Sequence, residues 1–300
     1  MSVTRRKSTF SIVAADLEAG EVGCAVQSRY FSVGSVVPWA RAGVGAVATQ
    51  AAGVAAFGPR ALEELDRGAS PEDALERVLA DDPGRETRQL GIVTADGRAA
   101  AFTGAQCNDW AGHRIGAGFA AQGNILAGSS VVDEMARAYE ETIGSLVERL
   151  VAALEAGQAA GGDKRGQQSA AVVVERVGAR ADSREGIDRV CDLRVEDHVE
   201  PITELRRLVG LWTAWEAQRR AHGFYERGDS ARAADTLREA LSRREDAGML
   251  YNLACYESLA GRRDAALTEL RRAIQLDPSF RELAQNDPDF DPIRADVSEL

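Results

Sequence analysis

The 300-residue sequence has few lysines, histidines and cysteines and no excess of positive charge. Lys7 and Lys164 are its only lysines, and Asp and Glu (47 together) outnumber Lys and Arg (36), which gives a net charge of −11. A general nucleic-acid binder needs a basic surface that neutralises phosphates, and this composition does not supply one. We therefore predict no nucleic-acid partner.

Long apolar runs are also absent. A transmembrane helix needs about 20 consecutive apolar residues, and no segment approaches that length. Arg5 and Arg6 resemble the start of a twin-arginine export signal, but the apolar run after them covers only residues 10–15. An export signal needs a longer apolar core, of roughly 7–15 residues. We therefore predict a cytoplasmic protein without a membrane partner.

The sequence shows no metal or cofactor motif in a suitable context. Residues 287–291 resemble the start of a calcium loop, but Pro292 occupies the place of the required glycine. Residues 43–48 and 116–121 match G-x-G-x-x-A without the flanking strand and helix that dinucleotide binding requires. The cysteines form no CxxC pair, which argues against a disulfide framework or a zinc site; they are Cys24, Cys107, Cys191 and Cys255. We predict neither metal nor cofactor.

What the sequence does contain, near its beginning, is an apolar hairpin. Residues 9–15 and 22–28 predict two strands joined by the polar loop 16–21. Thr9 begins the first strand, where an N-terminal nucleophile would lie. Such a nucleophile uses its own α-amino group as the base, and the pKa of that amine is close to working pH. The alternative is a threonine that only begins a strand, where β-branched residues are common.

Downstream, strands and helices come in pairs. Length and a hydrophobic content of 45% are sufficient for two globular domains. The order of elements favours an α+β fold with helices outside two mostly antiparallel sheets. Residues 29–42 and 106–118 predict loops. Predicted strands cover 43–50, 89–94, 98–103, 119–126, 169–174 and 191–195, and predicted helices cover 59–67, 71–79, 129–140 and 145–156.

The chain becomes wholly helical after Pro201. Residues 228–237 align with residues 261–270 at an offset of 33, close to the 34-residue period of tetratricopeptide repeats. We predict a bridging helix at 202–211, helical structure from Trp212 onward, and a helical-repeat domain at 209–300. This domain either binds a peptide or protein partner or serves only as a packing appendage. Two repeats are too few to be stable alone, so we expect them to pack on the first domain or on a second copy. We therefore expect a homo-oligomer.

Residues 9 to about 208 resemble the bacterial family called domain of unknown function 1028, which is Ntn-hydrolase-like. The resemblance implies a four-layer α-β-β-α sandwich for residues 9–208, preceded by an extension at 1–8. By analogy of fold it also implies hydrolysis of a small amide, ureido or peptide bond. The segments that carry it are TFSIVAAD (9–16), AVQSRYFSVGSVVPWARAGVGAVATQA (25–51), RQLGIVTADGRAAAFTG (88–104), DWAGH (109–113), QGNILAG (122–128), GGDKRGQQSA (161–170) and LRVEDH (193–198).

The same resemblance assigns roles to individual residues. The resemblance makes Thr9 the nucleophile and puts Asp163 in the position of an acid. It puts Ser28 near an acidic residue that orients the nucleophile, but a serine cannot supply a carboxylate. Arg41 falls near a basic residue that lowers the pKa of the amine. Turn formation, core packing or ordinary hydrogen bonding would also explain the candidate substrate-binding residues, which are Gln27, Gln50, Trp110, His113, Gln122, Asn124, Ser129, Arg165, Gln168 and His198.

Members of this family typically begin Met-Thr-Phe-Ser, so loss of the methionine exposes the threonine. Here residues 1–8 precede Thr9. Three explanations stay open: the chain is cleaved between Ser8 and Thr9, its true start lies downstream, or the amine is blocked and catalysis is lost. Two functions follow, a threonine amidohydrolase or a catalytically silent module that binds a partner through its helical repeats.

Overall fold

The computed structural model describes residues 9–179, 187–241 and 245–300. The predicted extension, residues 1–8, lies outside these ranges. The chain divides into two compact units, Met1–Val209 and Gly210–Leu300. The first unit contains the sheets and the second is helical, so the α+β class with a helical C-terminal region is confirmed.

Two antiparallel sheets form the first unit. One has the strand order β10-β9-β2-β1-β8-β7 and the other β3-β4-β5-β6, so the predicted N-terminal hairpin supplies the two central strands of the larger sheet. Every pairing between these strands is antiparallel, as predicted. The strands are β1 Thr9–Asp16, β2 Glu21–Ser28, β3 Pro38–Arg41, β4 Gly45–Ala51, β5 Arg88–Thr94, β6 Ala99–Thr103, β7 Gly112–Gly116, β8 Phe119–Asn124, β9 Ser169–Arg176 and β10 Arg189–Val195.

Each sheet carries a pair of helices on one face. Helices α1 (Phe57–Asp66) and α2 (Pro71–Leu79) pack on the smaller sheet through a shared apolar core. Helices α3 (Ser130–Glu141) and α4 (Leu146–Ala159) pack on the larger sheet. The packing of α4 is close, because a Cβ added at Gly157 would lie 3.3 Å from the ring of Phe10.

Local signals explain where two of these helices begin. Ser70 accepts a hydrogen bond from the Asp73 amide at 3.0 Å, and Pro71 occupies the first turn of α2, as the sequence predicts. Ser145 and Glu148 form a reciprocal capping box at the start of α4. A cap of this kind stabilises a helix by about 1 kcal/mol.

Three sequence predictions need correction. Strand β3 lies in the predicted loop 29–42, and β7 lies in the predicted loop 106–118. Both are edge strands with few large apolar side chains, and β3 begins with a proline, which only an edge position tolerates. The bridging helix does not end at Leu211 as predicted, because a single helix, α5, runs from Pro201 to Glu226.

The second unit has its own apolar core, built from small residues and tyrosines on successive helices. These helices are α6 Ser230–Leu241, α7 Ala247–Leu259, α8 Arg263–Leu276, α9 Phe280–Asn286 and α10 Arg294–Val297. Over the residues that the structure describes, none of the helices is sufficiently long and apolar to span a membrane.

The two sheets face each other, and their interface changes character along its length. Near Val13, Val22 and Val93 the interface is apolar. At the other end, polar side chains of β1, β4, β5 and β8 meet and are buried. Gly91 makes room for one of them, since a Cβ there would lie 2.1 Å from Oε1 of Gln122.

We predict that Gly91→Ala destabilises the first unit by roughly 1–3 kcal/mol, the usual cost of overpacking a buried site. Moving the Gln122 side chain away would break the hydrogen bond that its Nε2 donates to Ser11 Oγ at 2.7 Å. Gly210→Ala is the matched control, because a Cβ at this helical glycine meets no atom within 4 Å. The control should be neutral or slightly stabilising. Urea unfolding of both variants checks this, and equal midpoints would contradict it.

Candidate active site

Thr9 lies at the head of a central strand. It pairs with Ser28 on β2 and with Asn124 on β8. Its side chain is 2% exposed, and its Oγ1 donates to Ser28 Oγ at 3.1 Å. The Ser28 hydroxyl therefore fixes the direction of the Thr9 side chain without adding charge.

A cavity of about 70 Å³ lies directly beside Thr9. Its walls come from Thr9 and from the two segments 30–37 and 49–55. Tyr30, Val36 and Ala55 are half-buried and Gly53 is exposed, so these residues form the mouth. The Thr9 side chain is thus buried but not sealed.

Two residues near this cavity have a strained backbone. Ala51 follows Gln50, lines the cavity and has φ +66°. Ile125 follows Asn124 and has φ +54°, which is rare for a β-branched residue. A left-handed conformation costs a non-glycine residue about 1–2 kcal/mol. Strain of this kind is common at functional sites, where the surrounding structure maintains it.

A buried amide network joins the two sheets beneath Thr9. Gln50 Oε1 accepts from Ser11 Oγ at 2.6 Å, and Gln50 Nε2 donates to Gln89 Oε1 at 2.8 Å. Gln89 Oε1 also accepts from Asn124 Nδ2 at 2.9 Å. Gln50 Nε2 is in addition 3.4 Å from the carbonyl oxygen of Thr9. The predicted site residues Gln50, Gln122 and Asn124 thus hold the site together, and they are no more than 2% exposed.

Asp163 anchors the chain next to Ser28. Its carboxylate accepts the backbone amides of Arg29 at 3.1 Å and Arg165 at 2.8 Å. The guanidinium of Arg165 forms an ion pair with it at 3.1 Å. Asp163 is 4% exposed, and these partners make its charge tolerable there. Asp163 therefore fixes the end of β2, because Arg29 directly follows that strand.

Gln168 and His198 lie on the same side of the site. The backbone amide of Gln168 donates to the backbone carbonyl of Ser28 at 3.1 Å. The backbone amide of His198 donates to the backbone carbonyl of Gln168 at 2.8 Å. The Gln168 side chain donates to Asp197 at 3.1 Å. His198 is exposed and its Nδ1 accepts from the Glu200 amide. The structure thus links these residues to Ser28 through the backbone.

Arg41 is not brought to Thr9. It pairs with Gly45 at the start of β4, whereas Gln50, which contacts Thr9, lies near the end of that strand. Five residues of strand correspond to roughly 17 Å. Arg41 instead forms an ion pair with Asp66 at 3.3 Å. At this distance Arg41 cannot lower the pKa of an α-amine on Thr9. The predicted role of Arg41 at the site is therefore not supported.

Gln27, Trp110 and Ser129 are also not among the residues that line the cavity. Gln27 neighbours Ser28, and since side chains alternate along a strand it points to the opposite face of the sheet from Thr9. Neither polar atom of its side chain has a partner among the described residues. Trp110 packs over Gly112, and Ser129 is exposed at the start of α3.

Sequence reasoning did not identify Ser11, Gln89, Thr103 or Tyr30 as site residues. Ser11 and Gln89 are buried in strands, and Tyr30 lies at the mouth of the cavity. The alternation of Thr9 and Ser11 with apolar residues on β1 is a signal that could have identified Ser11. Gln89 and Thr103 give no local signal, because their partners are distant in sequence.

The helical unit contains a separate cluster of possible metal ligands. Cys255, Asp287 and Asp289 place three ligand atoms within 4.8 Å of one another. Tyr251 donates to Asp287 at 2.7 Å and Tyr225 donates to Asp289 at 3.0 Å, so hydroxyl groups already satisfy both carboxylates. Burial raises the pKa of the Cys255 thiol, which opposes the thiolate that a metal needs. We assign no metal to this cluster.

Comparison with known proteins gives a family but no activity. Residues 9–205 match a family described as "Family of unknown function (DUF1028)". The chain is similar to the crystal structure of protein SPO2555 from Silicibacter pomeroyi, which is described with the same family. The two chains are 35% identical, the match covers 69% of this chain and 89% of that chain, and the TM-score is 0.62. No curated protein matches this chain.

His113 leads to a prediction of pH dependence. Gln89 Nε2 donates to Thr103 Oγ1 at 3.0 Å, which leaves the Thr103 proton for Nδ1 of His113 at 2.9 Å. Nδ1 is therefore assigned as an acceptor and the ring as neutral. Partial desolvation of the ring lowers the pKa of His113 below its ordinary 6.5, although the residue as a whole is exposed.

The unfolded chain therefore binds a proton at a higher pH than the folded chain does. Stability should fall as the pH decreases through about 6.5, and this loss should end below the lowered pKa of the folded state. His113→Gln should remove this part of the pH dependence in chemical denaturation, whereas the control His222→Gln should keep it. An unchanged profile for His113→Gln would contradict the assignment.

Proposed function

The chain belongs to the family of unknown function DUF1028, and from that premise we propose that it is an amidohydrolase with Thr9 as its N-terminal nucleophile. The observation that carries the proposal is the Thr9 hydroxyl at the head of a central strand, beside a cavity with an open mouth. The facing sheets with helices on their other faces support the finer description of the fold as an Ntn-hydrolase-like α-β-β-α sandwich.

The chemistry requires a free amine on Thr9, so we propose that residues 1–8 are removed. The amine then takes the proton of Oγ1 while Oγ1 attacks the substrate carbonyl. The tetrahedral intermediate collapses to an ester on Thr9, and the ammonium group returns the proton to the departing amine. Water, activated by the same α-amine, then hydrolyses the ester. Ser28 Oγ orients the nucleophile, and Asp163 fixes the strand end that carries Ser28.

A chain with a free Thr9 should hydrolyse small amides, and Thr9→Ala should lower kcat/KM by a factor of about 10³ or more. The terminal residue is measured by intact mass and N-terminal sequencing of the purified protein. A shortened chain that begins Met-Thr9 provides the free amine once its methionine is removed, without any cleavage between Ser8 and Thr9. Thr142→Ala, at the end of α3, is the matched control.

The proposal is wrong if the shortened chain has Thr9 exposed and hydrolyses no amide, or if Thr9→Ala hydrolyses amides as fast as the control. Activity of the shortened chain alone would mean that residues 1–8 block the enzyme until they are removed.

One set of observations favours a second function, binding of a partner by the helical unit. Helices α6 and α8 begin at Ser230 and Arg263, which are 33 residues apart, the same offset as the sequence repeat. This spacing supports a tetratricopeptide-like arrangement. A groove of about 310 Å³ lies beside Ile274 and Pro278. It is the place where an acidic peptide with an apolar residue would bind.

Two exposed arginines, Arg271 and Arg281, line this groove, and neither forms an ion pair with a described residue. If the groove binds an acidic peptide, Arg271→Glu with Arg281→Glu should weaken binding at least tenfold, because two attractive charges become repulsive. The matched control is Arg220→Glu with Arg232→Glu, a pair outside the groove. An acidic peptide library measured by fluorescence anisotropy tests this, and equal affinities would contradict it.

A further inference from the structure

The cavity beside Thr9 restricts the size of what it can hold. One water needs at least about 10–15 Å³ of such cavity volume, so a cavity of about 70 Å³ holds only a small group of a few heavy atoms. Protein interiors resist expansion because they are close-packed. A group that enters without displacing the walls is therefore short.

The walls also select by charge. Half of the lining residues are valines and alanines of the two wall segments, namely Val33, Val36, Val37, Ala51 and Ala55. The remaining lining residues are uncharged as well. An ammonium group, or a carboxylate beyond the reach of the Thr9 α-amine, would lose its hydration in this cavity without gaining an ionic partner from the lining side chains, which is strongly unfavourable.

The polar groups of the cavity are already engaged within the protein. Thr49 Oγ1 donates to the Val54 carbonyl at 3.2 Å. Gln50 Oε1 accepts from Ser11 and Gln50 Nε2 donates to Gln89. The donor protons of these groups are therefore used within the protein. None is free for an incoming hydrogen-bond acceptor, which favours an apolar group over an accepting group of the same size.

We propose that this cavity binds the acyl side of the substrate, and that the acyl group is short, uncharged and apolar, of about two to five heavy atoms. This inference rests on the proposed function for its mechanism, since the carbonyl must lie at Thr9 Oγ1. The amine portion then leaves through the mouth near Tyr30 and Ala55. Binding in the cavity does not itself require turnover, so the two proposals can be tested separately.

The binding test uses isobutyramide, its charged analogue malonamate and the longer hexanamide, each titrated by NMR into the full chain. Isobutyramide should bind at least tenfold more tightly than either of the others. Ala55→Leu fills the mouth and should abolish isobutyramide binding. Tighter binding of malonamate or hexanamide, or isobutyramide binding that Ala55→Leu leaves unchanged, would overturn the inference.

The activity test uses anilides of isobutyric, hexanoic and succinic acids. The isobutyryl anilide should be the best substrate, and Val36→Ala should increase kcat/KM for the hexanoyl anilide about tenfold by enlarging the cavity. Val44→Ala makes the same change at the far end of β4 and should have no such effect. A chain that prefers the succinyl anilide keeps the proposed function and overturns this inference. A shortened chain that has Thr9 exposed and hydrolyses nothing, but binds isobutyramide in the cavity, supports this inference and overturns the proposed function.

Discussion

The hydrogen bonds of Gln89 connect the two sheets at the end where Thr9 lies. Its Oε1 accepts from Gln50 of its own sheet and from Asn124 of the facing sheet, and its Nε2 donates to the Gly123 carbonyl at 2.8 Å. In the low dielectric of the interior such bonds are strong, and each missing partner leaves a costly unsatisfied group. The spacing and register of the sheets near the site therefore depend on this side chain.

The interface between the two sheets is apolar at one end and polar at the other, and Thr9 lies at the polar end. Apolar side chains around Val13 and Val93 pack against one another at the far end. At the near end, the strands terminate in residues with unusual backbone conformations, Ala51 and Ile125. The cavity beside Thr9 lies at this end, next to the amide network and the ends of these strands.

The sequence was sufficient for features that depend on local signals. The hairpin at 9–28, the start of α2 at Ser70 and the 33-residue offset of the helices are all visible in short segments. Strand β3 was not visible because its residues are not typical of a central strand. The amide network was not visible either, since Ser11 and Gln122 are 111 residues apart and adopt complementary roles only after the sheets assemble.

The central claim is that the Thr9 hydroxyl attacks a carbonyl while its own amine acts as the base. The most direct test is to incubate the protein with a small activated ester, stop the reaction with acid and map any acyl group by peptide mass spectrometry. If Thr9 is the nucleophile, one acyl group should appear on a peptide that begins at Thr9, and none should appear on the Thr9→Ala variant. An unmodified peptide that still begins upstream of Thr9, or an acyl group on another residue, would contradict it.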